Sequence, residues 1–256
     1  MLGPAPHSLP HSLIALFERA FAAQGVDLAR VGLAWARASP AVAIVPAFGL
    51  QALPMAARGV LSVALAAAIF PALPPVVDAS GGPFYALLLR EVIAGLPVAI
   101  AAAVPLWAAS MAGGVADALR GSSETASAPT VEGSASPLGI AFSLLACGMF
   151  LATGGPARVA AALISPTTDL HPVLRAASDI TSGITIAVAI AAPLLAASIV
   201  IEVAGALIAR AATPAQLHLV LAPLRSLALL GVLAITFQRM SEALAAVVAH
   251  APTLAF

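Results

Sequence analysis

Residues 84–119 read FYALLLREVIAGLPVAIAAAVPLWAASMAGGVADAL, and this stretch decides the fold class. It is one continuous apolar run without strand alternation, well beyond the roughly 20 residues a helix needs to cross a bilayer core. Pro97 and Pro105 interrupt it, and Glu91 and Asp117 stand inside it. A charge in hydrocarbon costs roughly 2.5–3.5 kcal/mol even on the mildest scale, so one that persists faces a protein partner or water. The stretch therefore reads as a long, bent helix whose carboxylates engage helix contacts or a conduit.

Working outward, the same pattern recurs. Apolar runs cover about 31–48, 57–73, 138–153, 156–165, 180–209 and 217–249, which gives an expectation of five or six membrane-length segments. Arg37, Arg58, Glu202 and Arg210 are further charges set in apolar surroundings. Pro40, Pro46, Pro54, Pro193 and Pro223 lie in or beside these runs. Each frees a backbone carbonyl that lipid cannot satisfy, so neighbouring helices or water must. The expected fold is an all-α, membrane-associated bundle of long, Pro-kinked helical hairpins, read as one domain over 1–256. The runs at 180–249 form a C-terminal hairpin joined near Thr213-Pro214-Ala215.

Composition agrees. The chain is 61% hydrophobic with a mean hydropathy of +1.06, against the usual 45–50% apolar content of soluble domains. Eleven cations, all arginine, balance eleven carboxylates, so there is no basic patch for nucleic acid. Within 1–25, a Pro- and His-bearing arm precedes an amphipathic helix in which Leu13, Ile14, Phe17, Ala20 and Phe21 share a face. His7 and His11 are four apart, but Pro10 between them disfavours a metal-binding helical turn. The N-terminus lacks the early basic and apolar regions of a cleavable signal peptide. The single cysteine, Cys147, reads as a small core residue.

Two constellations carry more information. Ala109, Gly113, Asp117 and Gly121 are spaced by four and stack along one helix ridge, as Glu91, Gly95 and Ala99 do earlier. Small residues at that spacing let another backbone approach closely, against unlike subunits or the chain's own hairpins, and press the carboxylate into the contact. Glu202 and Arg210 are two turns apart, about 12 Å along an axis, so each needs its own partner, which can lie in another chain. Residues 121–137 (GSSETASAPTVEGSASP) form the one long polar stretch, and a loop of that length in so apolar a chain points to function or disorder. Enzyme signatures are missing: Gly121-Ser122-Ser123-Glu124 is no nucleophile elbow, the remaining histidines are scattered, and no zinc spacing or phosphate-binding loop occurs. No catalytic, cofactor or metal residue is assigned.

The order of these signatures resembles the FliR/SctT family, the export-gate subunits of flagellar and virulence type III secretion systems. Arg37, Ser39-Pro40, Pro46-Ala47-Phe48-Gly49, Pro54 and Arg58 are similar to its N-terminal signature. Glu91-x-x-x-Gly95, Gly113-x-x-x-Asp117-x-x-x-Gly121, Ser136-Pro137-Leu138-Gly139 and Gly154-Gly155 follow in register, then Ser165, Pro172, Pro193, Glu202, Gly205, Arg210, Gln216 and Pro223-Leu224-Arg225. The turn at 214–218 departs from the family, with Ala215 between Pro214 and Gln216 and His218 in place of an asparagine, so no role is carried over to it.

The resemblance implies a non-enzymatic gate subunit without cofactors in the bacterial inner membrane, passing unfolded secreted proteins with energy supplied elsewhere in the machine. It implies SctR/FliP-like and SctS/FliQ-like partners around one copy of this chain, with SctU/FlhB-like and SctV/FlhA-like proteins nearby. Arg37, Pro46, Phe48, Gly49, Pro54, Arg58, Glu91, Gly95, Gly113, Asp117, Glu202 and Arg210 become candidate packing and interface residues. Gly121, Ser123, Glu124, Glu132, Gly133, Ser136 and Pro137 become a candidate gate loop with a mobile middle near the pore constriction. The Ser136–Gly139 stretch leans toward the virulence branch over the flagellar one. A rival from another class is a proton-coupled transporter using Glu91, Asp117 or Glu202; an intramembrane protease lacks a nucleophile–base pair.

Overall fold

Alanine builds this molecule from the centre outward. The computed structural model describes residues 27–48, 54–73, 83–127, 134–165, 172–211 and 217–250, together with Arg19 and Ala23. The described residues form seven α-helices: α1 (Leu28–Ile44), α2 (Met55–Ile69), α3 (Phe84–Leu119), α4 (Pro137–Ala152), α5 (Gly155–Ile164), α6 (Pro172–Ala211) and α7 (Leu217–His250). The amphipathic helix expected over 13–21 lies outside the described residues except at Arg19, whose carbonyl accepts from the Ala23 amide at 2.9 Å.

α3 is apolar on every side, which marks a helix meant for the interior. Of its most apolar window 72% is buried, against 17% for α2, 28% for α6 and 17% for α7. α3 packs chiefly against α6, α1 and α4. Ala99, Ala102, Ala103, Ala109 and Ala112 share one buried cluster with Ala34, Ala38 and Ala41 of α1. Side chains this small let helix backbones close to near contact and replace lost hydrophobic bulk with dispersion over a long seam. Gly183 of α6 meets α3 in the same way, since an added Cβ would stand 2.8 Å from Val104 Cγ1.

Local chemistry sets the ends. Asp27 caps α1 by accepting from Ala29 N at 2.9 Å, and the helix stops at the extended residue Val45 before Pro46. α2 runs into a 3-10 turn (Phe70–Ala72) whose closing carbonyl, that of Leu73, accepts from Arg30 Nη2 while the guanidinium lies 5.1 Å from the Phe70 ring centroid. α4 starts with Pro137 behind the capping Ser136 and ends where Gly154 takes φ +75. The chain turns 66° there into α5. Gly155 is needed beside it, because a Cβ would meet the Phe150 ring at 2.5 Å.

Among the described residues four helices, or five if the bent pair α4–α5 is one span, are long and apolar enough to cross a membrane, the upper count meeting the five or six expected. The run expected at 31–48 is not one of them: α1 has 17 residues, carries Arg30 and Arg37, and buries much of its length in the protein. Strand structure, expected to be absent, exists as a two-residue antiparallel ribbon pairing Ala126 with Ala135 and Ser127 with Ser134. So short a ladder of small residues has no alternation to betray it.

Candidate functional site

The charges inside the apolar helices resolve into three built arrangements. The first joins α1, α3 and the end of α5. Arg37, 8% exposed, directs Nη1 at Glu91 Oε2 across 3.5 Å and donates from Nη2 to the Ser165 carbonyl at 3.3 Å. Ser165 is the C-cap of α5, so the guanidinium also meets the negative end of that helix. Gly95, one turn beyond Glu91, leaves no space for a Cβ against the carbonyl oxygen of Arg37. The Glu91–Gly95 signature thus holds α3 against α1 within this chain.

The second arrangement lies at the C-terminal end of α3. Asp117 is 1% exposed. Its Oδ1 accepts from Arg120 Nε and lies within 2.6 Å of Nη2, and Oδ2 accepts from the Leu138 amide at 2.7 Å. Leu138 is in the first turn of α4, where amides lack intrahelical partners and the helix dipole favours an anion. Ser136 Oγ takes the next such amide, Gly139 N, at 3.3 Å. A Cβ on Gly113 would collide with the Leu138 carbonyl oxygen, and one on Gly139 would stand 3.1 Å from the Ser110 carbonyl. The small-residue ridge therefore seats α4 of the same chain.

From this base rises the polar loop. Gly121 takes φ +75; its amide donates to Ala118 O at 3.1 Å, and Ser122 N donates to Asp117 O at 3.0 Å. That pair of bonds is the Schellman closure of α3. Ser123 and Glu124 are exposed, Ser136 and Pro137 half-buried, while Glu132 and Gly133 lie outside the described residues.

The third arrangement is in the α6–α7 hairpin. Glu202 Oε1 pairs with Arg225 Nη2 at 2.5 Å, with side chains 54% and 39% exposed. Glu202 thus finds a partner of its own, distinct from Arg210, in the antiparallel return of α7, 23 residues on. Arg210 is exposed and has no ion-pair partner among the described residues. Beside the pair lies a cleft of about 470 Å³ walled by Ile201, Gly205, Ile208, Leu224 and Ala228.

The remaining candidates are placed singly. Phe48 is buried edge-on against Phe150 at a centroid distance of 5.8 Å, and Pro46 is half-buried in the turn before it. Gly49 lies outside the described residues. Pro54 is the exposed N-cap residue of α2, and Arg58, half-buried on that helix, has its Nε shielded from solvent without a partner among the described residues. Sequence reading missed Arg120, although its i, i+3 spacing from Asp117 was visible. It also missed Ser165 as an acceptor, which no spacing reveals.

The arrangement fixes backbones, closes the end of α3 and leaves broad apolar faces outward. Met55, Val60 and Val63 on α2, Ile199, Val200 and Leu207 on α6, and Leu227 and Ile235 on α7 are all exposed. Such faces call for lipid or partner helices. Comparison with known proteins matches residues 28–251 to the family model described as bacterial export proteins, family 1. The secretion system apparatus protein SsaT of Salmonella typhimurium (strain LT2) is 41% identical over 70 residues, 27% of this chain and 27% of that protein. The matched region thus spans about a quarter of the relative's length.

Proposed function

This chain belongs to the bacterial export proteins, family 1, and on that premise we propose that it is a type III export-gate subunit enclosing a path for unfolded proteins through the bacterial inner membrane. It is a membrane protein of a protein-transport apparatus, and its likeness to a secretion-system protein supports the virulence branch over the flagellar one. In this reading the whole chain acts as one integral-membrane unit, surrounded by SctR/FliP-like and SctS/FliQ-like subunits, with SctU/FlhB-like and SctV/FlhA-like proteins at the cytoplasmic side.

The observation that carries the reading is the division of labour among the helices. α3 is consumed by internal packing, while α2, α6 and α7 turn most of their apolar surface outward. Such outward apolar faces are where unlike gate subunits would pack in this reading. The loop at the end of α3 is then the candidate gate element, small in side-chain bulk, exposed at Ser123 and Glu124 and rooted on the end of a long helix.

The transporter alternative is the less favoured reading. Glu91 is matched by Arg37, Asp117 by Arg120 and Glu202 by Arg225, so each candidate carboxylate is already opposed by a guanidinium. Deleting the gene should abolish release of the type III substrates into the medium, and the wild-type chain supplied in trans should restore it. Undiminished secretion from the deletion strain overturns the assignment.

A further inference from the structure

The α6–α7 hairpin outruns the rest of the packed body. Gly183 of α6 meets Val104 of α3, and farther on Leu194 shares a small void with Ala116, Leu119 and Arg120 at the end of α3. α6 therefore runs beside α3 in the same direction, then continues from Leu194 to Ala211, about 25 Å. Over that length α3 no longer stands behind the hairpin. Here lies the cleft of about 470 Å³ beside Glu202 and Arg225. Its volume falls within the roughly 300–1,000 Å³ of ligand-binding clefts. Ile201, Ile208, Leu224 and Ala228 wall it, and an added Cβ on Gly205 would meet nothing within 4 Å.

Charge decides what suits this cleft. In the described stretches that form this end of the hairpin, 198–211 and 223–230, the ionised groups are Glu202, Arg210 and Arg225. Glu202 meets Arg225 through Nη2, and the arginine side chain stays 39% exposed. Arg210 is exposed and stands one turn beyond Ala206, which lines the cleft. Two guanidiniums thus answer to one carboxylate at the edge of an apolar hollow. The apolar span of α6 ends at Arg210, and that of α7 begins at Pro223, two residues before Arg225. Span ends are where a membrane hairpin meets lipid headgroups, and long arginine side chains reach toward them.

We propose that this cleft binds one anionic phospholipid, with an acyl chain lying between α6 and α7 and the phosphate held by Arg210 and by the side of Arg225 that Glu202 does not take. Basic pockets between apolar helices recognise phospholipid headgroups in this way, and a phosphodiester matches the guanidinium fork. A purely apolar partner helix satisfies the walls but leaves the surplus guanidinium unanswered. A zwitterionic lipid answers it less well, because its own ammonium competes for the phosphate. Glu202 holds Arg225 at the cleft without cancelling Arg210. Ile199, Val200 and Leu207 are exposed and lie outside the lining, so a bound lipid leaves those faces to other helices. The proposal requires the chain to sit in a membrane and does not depend on the gate reading.

The test uses the full chain in phosphatidylethanolamine–phosphatidylglycerol vesicles that carry a trace of phosphatidylglycerol with a photoactivatable diazirine on its acyl chain. Mass spectrometry of the irradiated protein maps the label. It should concentrate in 201–209 and 224–228. Phosphatidylethanolamine with the same diazirine chain should label these stretches about fivefold less, the discrimination expected for one arginine near a membrane surface. Arg210→Gln should erase most of that preference. Gly205→Leu adds a side chain where its Cβ meets no atom of the chain, so it should fill the cleft and lower labelling by both lipids severalfold. Labelling at the exposed Val60 and Val63 of α2 should stay unchanged in both variants. Arg210 is exposed, so its variant keeps the test open if Gly205→Leu folds poorly. Glycerophosphoglycerol, the headgroup without chains, should not compete; competition by it would mean an anion site with no chain in the cleft and would overturn the proposal. Equal labelling by the two lipids, or labelling indifferent to Gly205→Leu, would show an ordinary lipid-facing surface and overturn it too. A wild-type cleft that stays unlabelled is closed to lipid, by a partner helix or otherwise, and overturns it as well.

Discussion

Gly95 presses directly on the carbonyl oxygen of Arg37, while one turn earlier Glu91 Oε2 lies 3.5 Å from the Arg37 guanidinium. Backbone contact and ion pair together fix α1 on α3, and neither can be changed without the other feeling it. Gly95→Ala forces a methyl into main-chain atoms that have no rotamer to escape by. The expected loss is about 1–3 kcal/mol or more, the range for overpacking a tight core, read as a lower unfolding midpoint in detergent. An unchanged midpoint contradicts this crossing.

Arg37 is the buried member of its pair, and Glu91 keeps a side-chain exposure of 25%. Arg37→Met leaves a partly solvated glutamate and an unanswered helix end, whereas Glu91→Leu leaves a nearly buried guanidinium. The second should therefore be the more damaging, near the lower end of the roughly 3–5 kcal/mol known for breaking buried pairs. The double variant Arg37→Met, Glu91→Leu should recover much of that loss. Strictly additive effects in a double-mutant cycle would show that the two side chains do not interact.

Gly154 and Gly155 make the corner between α4 and α5 for different reasons. Gly154 has φ +75 but open space around it; Gly155 is crowded by Phe150. Gly154→Ala should lower stability by about 1–2 kcal/mol through the left-handed backbone alone, with Gly154→Asn milder. Gly155→Ala acts through packing; Phe150→Leu should relieve only the part due to the ring, since the Phe150 carbonyl oxygen also stands 2.6 Å from an added Cβ, and should not relieve Gly154→Ala at all. Thermal unfolding of the four variants and the two doubles separates the cases.

Glu202 and Arg225 form an exposed pair, so within the isolated chain Glu202→Leu should change stability by no more than about 1 kcal/mol. If partner helices cover the hairpin in the assembled gate, the same substitution strands Arg225 in an apolar interface. Complex yield and secretion should then fall, with Glu202→Gln milder. Equal loss in the isolated chain and in the complex would place the effect in folding instead of assembly.

Much of the fold was written in the apolar runs. The stretch at 84–119 became α3 with the same bounds, because Pro83 opens it and Gly121 closes it. α6 begins at Pro172 and not near 180, since its polar first turns carry no hydropathic signal while proline still starts a helix readily. The ridge spacing around Gly113 foretold close backbone packing, but spacing on one helix says nothing of which helix arrives; it was α4 of the same chain. Asp117–Arg120 was readable as an i, i+3 pair, whereas Glu202–Arg225 and Arg37–Ser165 needed the tertiary path of the chain. Gly49, Glu132 and Gly133 lie outside the described residues, and the middle of the loop with them.

The central claim is that this chain is one part of a gate built with unlike subunits. Co-expression with its SctR/FliP-like and SctS/FliQ-like neighbours, followed by native mass spectrometry of the tagged chain, tests it most directly. The expected result is a defined complex containing one copy of this chain and several copies of each partner. A stable monomer or symmetric homo-oligomer that excludes those partners would contradict it.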